Sequence, residues 1–203
     1  INHISFTGST KIGKLVQESA AKNAVPVTLE LGGKSPQIVF SDADLKKAIP
    51  YLVNASIQNC GQTCSAASRV LIQKPIYEKL VELLTKRFKK LEVGPALRDL
   101  DCGPLINEKQ KKGLEKYLNQ AKIDGLNFAS EGKIVIDAPQ GGNYVRPVLI
   151  RDVPPENVIA QEELFGPVLL TIPFEDEEEA ICIANGTRYG LVSGVWTRDG
   201  SRQ

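Results

Sequence analysis

Short runs rich in Val and Ile alternate along this 203-residue chain with longer stretches whose apolar residues recur every three to four positions. Gln37 to Phe40, Val70 to Gln73, Ile134 to Ile136, Val145 to Ile150, Val168 to Ile172 and Leu191 to Thr197 read as strands. Between them, Pro75 suits a first helical position, and Ile76, Leu80, Leu83, Leu84 and Phe88 then recur on one helical face. A second helix is expected over Glu108 to Ile123, with Leu114, Tyr117, Leu118 and Ala121 facing inward. A third should follow a cap formed by Ser41 with Asp44 and carry Leu45, Ala48 and Ile49 inward. Strands interleaved with helices bury a sheet on both faces, so the expected fold class is α/β, a sheet flanked by helices.

The first third of the chain adds two strands with polar tips. His3 to Phe6 reads as a strand, Gly8-Ser9-Thr10 as a turn, and Ile12 to Gln17 as the opening of a helix, whose free N–H groups and dipole suit an anion. Gly8 through Lys14 matches G-x-x-x-x-G-K, but Leu15 stands where a P-loop needs the hydroxyl that holds Mg²⁺. Thr10 occupies the second glycine position of a G-x-G-x-x-G fingerprint, so that motif fails too. Val25, Val27, Leu29 and Leu31 alternate with Thr28 and Glu30, and Gly32-Gly33 ends the strand at once. Glu30 therefore stands at a carboxyl end, where open α/β sheets hold ligands, although taken alone a solvated strand face is the simpler account.

Cys64 lies 34 positions beyond Glu30 (64 − 30) in Cys60-Gly61-Gln62-Thr63-Cys64-Ser65-Ala66. Gly61 allows a sharp turn, and Ser65, Ala66 and Ala67 let backbone or ligand approach closely, leaving amides that could stabilise a thiolate or an oxyanion. On composition alone Cys64 is also a small buried hydrophobe like most cysteines. Cys60 is expected to be structural.

Balanced charge narrows the function. With 25 basic and 24 acidic side chains the net charge is +1, which offers no electrostatic case for nucleic acid or an anionic membrane. No apolar run has the length of a membrane span, and Ile1-Asn2-His3 does not begin a secretory signal. The four cysteines form no C-x-x-C and His3 is the only histidine, so neither a metal site nor a disulfide framework is expected, and a reducing, cytoplasmic compartment fits. The acidic run Glu175 to Glu179 and the basic cluster Lys86, Arg87, Lys89 and Lys90 fall where helix ends favour those charges. The sequons at Asn54 and Asn185 are read as chance, and the loop Asp137 to Asn143 as a turn-rich connection.

Four blocks in order carry a resemblance. Phe6-Thr7-Gly8-Ser9-Thr10 with Gly13, Leu29-Glu30-Leu31-Gly32-Gly33-Lys34-Ser35-Pro36, Gly61-Gln62-Thr63-Cys64 with Arg69, and Glu162-Glu163-Leu164-Phe165-Gly166-Pro167-Val168 resemble the NAD(P)-dependent aldehyde dehydrogenase superfamily. The resemblance implies that Cys64 attacks an aldehyde and that Glu30 activates the water that releases the acid. It implies cofactor contacts at Gly8, Ser9, Leu31, Glu163 and Phe165, with Ser9 near the pyrophosphate, Glu163 on the nicotinamide ribose and Phe165 beside the nicotinamide. NAD, or NADP, is the cofactor so implied, and a small aldehyde the substrate. Residues 1–33 would be the tail of a cofactor domain with a Rossmann-like fold, and 34–203 most of a catalytic domain, truncated at its carboxyl end. The absence of Met, even at position 1, reads as a piece of a longer protein. That protein would be a homodimer or homotetramer, its oxyanion asparagine and oligomerisation strand lying outside this chain. A CoA-acylating relative would keep Cys64 without a Glu30-type base. An acyl-phosphate reducer would not be expected to show both glutamate blocks, and in a non-catalytic structural relative Cys64 would be a dispensable thiol.

Overall fold

The computed structural model describes residues 1–202, so Gln203, the last residue of the expected second segment, lies outside them. In chain order the elements are β1 (Ile4–Thr7), α1 (Thr10–Ala21), β2 (Val27–Glu30), β3 (Pro36–Val39), α2 (Leu45–Ile57), β4 (Arg69–Gln73), α3 (Tyr77–Phe88) and β5 (Glu92–Val93). There follow α4 (Glu108–Ile123), β6 (Asn127–Glu131), β7 (Lys133–Ile134), β8 (Val148–Arg151), α5 (Val158–Gln161), β9 (Val168–Phe174), α6 (Glu177–Asn185) and β10 (Gly194–Trp196).

Two separate sheets matter for the site. β1 and β2 pair in parallel, with Thr7 opposite Glu30, and α1 makes the crossover between them. Their alternation is the expected one: Val27 and Leu29 are half-buried while Thr28 and Glu30 face solvent. The larger sheet has the order β10-β3-β4-β9-β8-β6, parallel throughout except where β6 meets β8. Right-handed crossovers run one way from β3 to β4 and the other from β9 to β10, which sets α2 and α6 on opposite faces.

The core lies against the larger sheet. Val70, Leu71 and Ile72 of β4, Leu169 and Leu170 of β9, Leu52 and Val53 of α2, and Leu80, Leu84 and Phe88 of α3 are all fully buried. Burying each such side chain stabilises the fold by roughly 1.5–3 kcal/mol before entropy is counted. Phe40 and Phe174 meet edge to face at 5.4 Å, closing the carboxyl edge of the sheet. The α/β expectation holds, and both long helices fall where the periodicity put them.

Details differ for local reasons. Pro75 sits in a 3-10 turn (Lys74–Ile76), so α3 begins at Tyr77, and Tyr77 and Val81 are buried more deeply than Ile76 and Leu83. Asp44 alone caps α2, accepting from the Lys46 and Lys47 amides at 3.1 and 3.4 Å. The strand expected at Ile134 to Ile136 is two residues, Lys133–Ile134, and Ile136 is fully exposed. β6 was not foreseen because Asn127-Phe128-Ala129-Ser130-Glu131 has little β-branched character; pairing with β8 and a bulge after Phe128 impose it. Among the described residues no helix is long and apolar enough to cross a membrane.

Candidate active site

A cleft of about 650 Å³ opens between the two sheets. β1 and β2 present their carboxyl ends to it, through Thr7-Gly8-Ser9 and Glu30-Leu31-Gly32. β3, β4 and β9 are parallel, so the loops that precede them share one amino edge; those loops carry Gly33, Cys64, Glu163 and Phe165. Glu30 thus meets the carboxyl-edge expectation while Cys64 arrives at an amino edge, which no local pattern foretold. All seven residues singled out in the sequence, Gly8, Ser9, Glu30, Leu31, Cys64, Glu163 and Phe165, line this cleft.

Cys64 is half-buried at the start of a turn, where the Ala66 amide donates to the Thr63 carbonyl at 3.0 Å. The approach to it is unusual. Asn59, Cys60 and Gly61 are successive left-handed residues, with φ of 50°, 56° and 71°, a conformation costing roughly 1–3 kcal/mol for each non-glycine residue. A clasp offsets that cost: Asn59 Nδ2 donates to the Gln62 carbonyl at 3.1 Å, and Gln62 Nε2 to the Asn59 carbonyl at 3.0 Å. Gln62 Oε1 also accepts from the Ile106 amide at 2.8 Å. A Cβ on Gly61 would lie 2.2 Å from the Gly166 carbonyl, so the loops before β4 and β9 touch backbone to backbone. Cys60 and Cys102 are both buried, and the interaction with Cys60, with burial, pushes the Cys102 thiol up. Cys102 Sγ donates to the Ile57 carbonyl at 3.7 Å.

A second close approach ties the two strand edges together. A Cβ on Gly33 would fall 2.6 Å from the Cys64 carbonyl oxygen, so the chain leaving Glu30 runs directly beneath the cysteine turn. Gly33 N donates to Glu163 Oε1 at 3.2 Å, and a Cβ on Gly32 would meet Glu163 Oε2 at 2.2 Å. Burial raises the Glu163 carboxyl above its ordinary range, against the opposing pull of the Gly33 N–H and the Lys34 charge. Opposite it, the Ser9 hydroxyl caps α1, accepting from the Ile12 amide at 3.4 Å, so the positive end of a 12-residue helix faces the cleft. Gly13 packs α1 onto this wall; a Cβ there would lie 2.4 Å from Leu31.

Several features of the site escaped the sequence reading. Phe165 is left-handed at φ 52°, and Gln110 Nε2 holds its loop by donating to the Leu164 and Phe165 carbonyls at 2.9 Å each. Asn107-x-x-Gln110 reads as a helix start, and Asn107 does accept from the Gln110 amide, so the only visible signal pointed to capping. Tyr117, expected in the core, is half-buried and lines the cleft. Arg69 is fully buried and donates to the carbonyls of Lys34, Ile183 and Ala184 at 2.8, 2.9 and 2.8 Å, pinning β3's entry to α6. Lys34 is buried as well, and burial, then the Arg69 charge, lowers its pKa to about 7. Among the described residues no cluster of His, Cys, Asp or Glu is arranged to hold a metal ion.

Comparison with known proteins gives a consistent result. Residues 1–203 match the family model described as the aldehyde dehydrogenase family. The chain is 38% identical to the glutarate-semialdehyde dehydrogenase of Pseudomonas putida over 203 residues, covering 100% of this chain and 41% of that protein. It is 38% identical to the succinate-semialdehyde dehydrogenase (NADP+) GabD of Escherichia coli, covering 100% of this chain and 42% of that one. A crystal structure of a candidate aldehyde dehydrogenase from Burkholderia cenocepacia superimposes with a TM-score of 0.99 at 61% identity, covering 100% of this chain and 43% of that one. The betaine aldehyde dehydrogenase of Staphylococcus aureus, solved in complex with NAD+, superimposes with a TM-score of 0.92 at 36% identity, covering 100% of this chain and 40% of its own. This chain therefore spans about two fifths of the length of each of these proteins.

Proposed function

Because the chain belongs to the aldehyde dehydrogenase family, we propose that it supplies the thiol nucleophile and the carboxylate base for oxidising an aldehyde to a carboxylic acid. The observation that carries this reading is the convergence of Cys64 and Glu30 on one cleft from two different sheets. In the proposed reaction the Cys64 thiolate adds to the aldehyde carbonyl, giving a thiohemiacetal on its sulfur. Oxidation then requires that carbon to lose a hydride, which a nicotinamide dinucleotide held in the cleft would accept. Cys64 is left as a thioester, and Glu30 takes a proton from the water that attacks it, help worth about 10²- to 10⁴-fold. The thiol is regenerated as the acid departs.

The residues present fit such a cofactor. Gly8 and Ser9 would meet its pyrophosphate at the amino end of α1, Glu163 a ribose hydroxyl, and Leu31 and Phe165 its nicotinamide end. Gly8 leaves room where a Cβ would crowd the Phe6 ring at 2.6 Å. NAD is proposed ahead of NADP, supported by the NAD+ complexes of the Staphylococcus aureus and Bacillus cereus proteins. Titration calorimetry of a longer protein containing this chain decides it; tighter NADP binding overturns the choice. Residues 1–33 are proposed as the tail of the cofactor domain and 34–203 as the greater part of a catalytic domain, supported by the change of sheet at Leu31 to Ser35. Homodimeric or homotetrameric assembly is proposed for the longer protein.

A CoA-acylating reaction would use Cys64 without a hydrolytic base, and Glu30 lining the same cleft weighs against it. Hydrolysis of p-nitrophenyl acetate tests the core of the proposal, since acyl transfer to a thiol requires no nicotinamide. Cys64→Ala should reduce hydrolysis to the rate without protein, and Glu30→Gln should stall it after a burst of one equivalent of nitrophenol. Equal turnover by the chain and Cys64→Ala overturns the nucleophile assignment; a Glu30→Gln variant without a burst phase overturns the base assignment.

A further inference from the structure

A second hollow, of about 320 Å³, begins one residue beyond Gly33 and is separate from the cleft. Lys34, Ser35 and Arg69 are its buried polar members, while Ile181, Leu191 and Val192 are exposed and supply apolar surface around them. Among the described residues only two buried side-chain polar atoms have no hydrogen-bond partner, Lys34 Nζ and Ser35 Oγ. They are neighbours in the chain and both belong to this hollow.

Two buried cations meet here, and among the described residues neither is in direct contact with a carboxylate. Three backbone carbonyls anchor Arg69, and none of them neutralises its charge. The acidic groups that act on Lys34 electrostatically are engaged elsewhere: Glu163 accepts from Gly33 N, and Glu162 pairs with Arg188 and accepts from the Tyr189 hydroxyl at 3.4 Å. Burying an unpaired charge is strongly disfavoured, and an unpaired buried hydroxyl adds a further penalty. Water could satisfy the hydrogen bonds, but it cannot offset the charge. A monoanion with two oxygens can do both, and its hydrocarbon tail would lie against Leu191 and Val192.

We propose that this hollow is a carboxylate-binding site, in which one oxygen accepts from the Lys34 ammonium and the other from the Ser35 hydroxyl. The carboxylate can come from a free small acid or from a side chain elsewhere in a longer protein. The chemistry is the same, and the experiment separates the sources.

Lys34's own titration is the readout, followed by ¹³Cε NMR in lysine-labelled chain, with Lys34→Met used to assign the resonance. In chloride buffer Lys34 should titrate near 7. Arg69, Glu163, Glu162 and Tyr189 are the other charged or titratable groups facing it. A bound carboxylate stabilises the ammonium, so formate at constant ionic strength should move the midpoint upward by about one pH unit or more, a tenfold preference for the charged form. Ser35→Ala should weaken apparent formate affinity about fivefold, as loss of one hydrogen bond predicts. Identical titrations in formate and chloride overturn the proposal, as does a Ser35→Ala response equal to that of the unaltered chain. In a longer protein, a response to formate means the site takes a free acid. A Lys34 that titrates at its ordinary value or above, with no formate added, means an internal carboxylate fills it. A Lys34 that still titrates near 7 and ignores formate overturns the proposal there.

Discussion

β2 and β4 are both short parallel strands, yet they live in different physical worlds. Val27 and Leu29 of β2 are half-buried in a two-stranded sheet, whereas Val70, Leu71 and Ile72 of β4 are fully buried between layers of helix. The difference comes from what covers each strand and not from the strand itself. Two strands and one helix bury too little apolar surface to be stable alone, while six strands with helices on both faces bury enough. The candidate active site spans this divide, taking its base from the thinly covered sheet and its thiol from the well-covered one.

That contrast can be broken in graded ways. The largest effect is expected for Phe174→Ala, which empties a fully buried ring site in β9 and should cost about 3–5 kcal/mol in urea denaturation. Next comes the seam between the sheets. Lys34 has a folded pKa near 7 and an unfolded value near 10.4, so between those pH values the unfolded chain binds the extra proton and stability rises with pH. In carboxylate-free buffer the chain should gain roughly 2–4 kcal/mol from pH 7 to 9, and Lys34→Met should lose that dependence. A pH profile shared by both proteins would show that Lys34 is not its source. Gly61→Ala combines an unfavourable φ with a backbone collision at Gly166 and should cost roughly 2–4 kcal/mol by the same denaturation. Leu29→Ala should cost least, under about 2 kcal/mol, because that side chain is only partly buried. Hydrogen exchange sharpens the point: amides of β1 and β2 should open at lower free energy than those of β3, β4 and β9. Equal protection in both sheets, or a Leu29→Ala loss matching Phe174→Ala, would erase the distinction.

How much of this was readable beforehand depended on whether the determinant was local. α3 and α4 announce themselves because their apolar residues repeat at helical spacing, and Asp44 can be recognised as a cap from neighbours a turn away. The seven cleft residues were found through ordered blocks that resemble a known family, and the structure gathers all of them into one cavity. What stayed hidden is tertiary. β6 exists because β8 pairs with it, and Gln110 matters because the Phe165 loop lies against its amide. Burial of Lys34 runs against the habit of lysines, so nothing short of the packed sheet could reveal it. The left-handed run at Asn59 and Cys60 carries no glycine to betray it until Gly61.

Gly13 acts on the site at second hand. Its missing methyl lets α1 settle against Leu31, and Leu31 in turn forms part of the cleft wall. The aperture is therefore gauged from behind, by a position that touches no ligand. Gly13→Ala would act as a shim, prying the helix from the strand and widening the mouth, and trimming Leu31 to Val would let it close again. Graded pairs at these two positions offer a mechanical adjustment of what the cleft admits, with Cys64 and Glu30 left untouched.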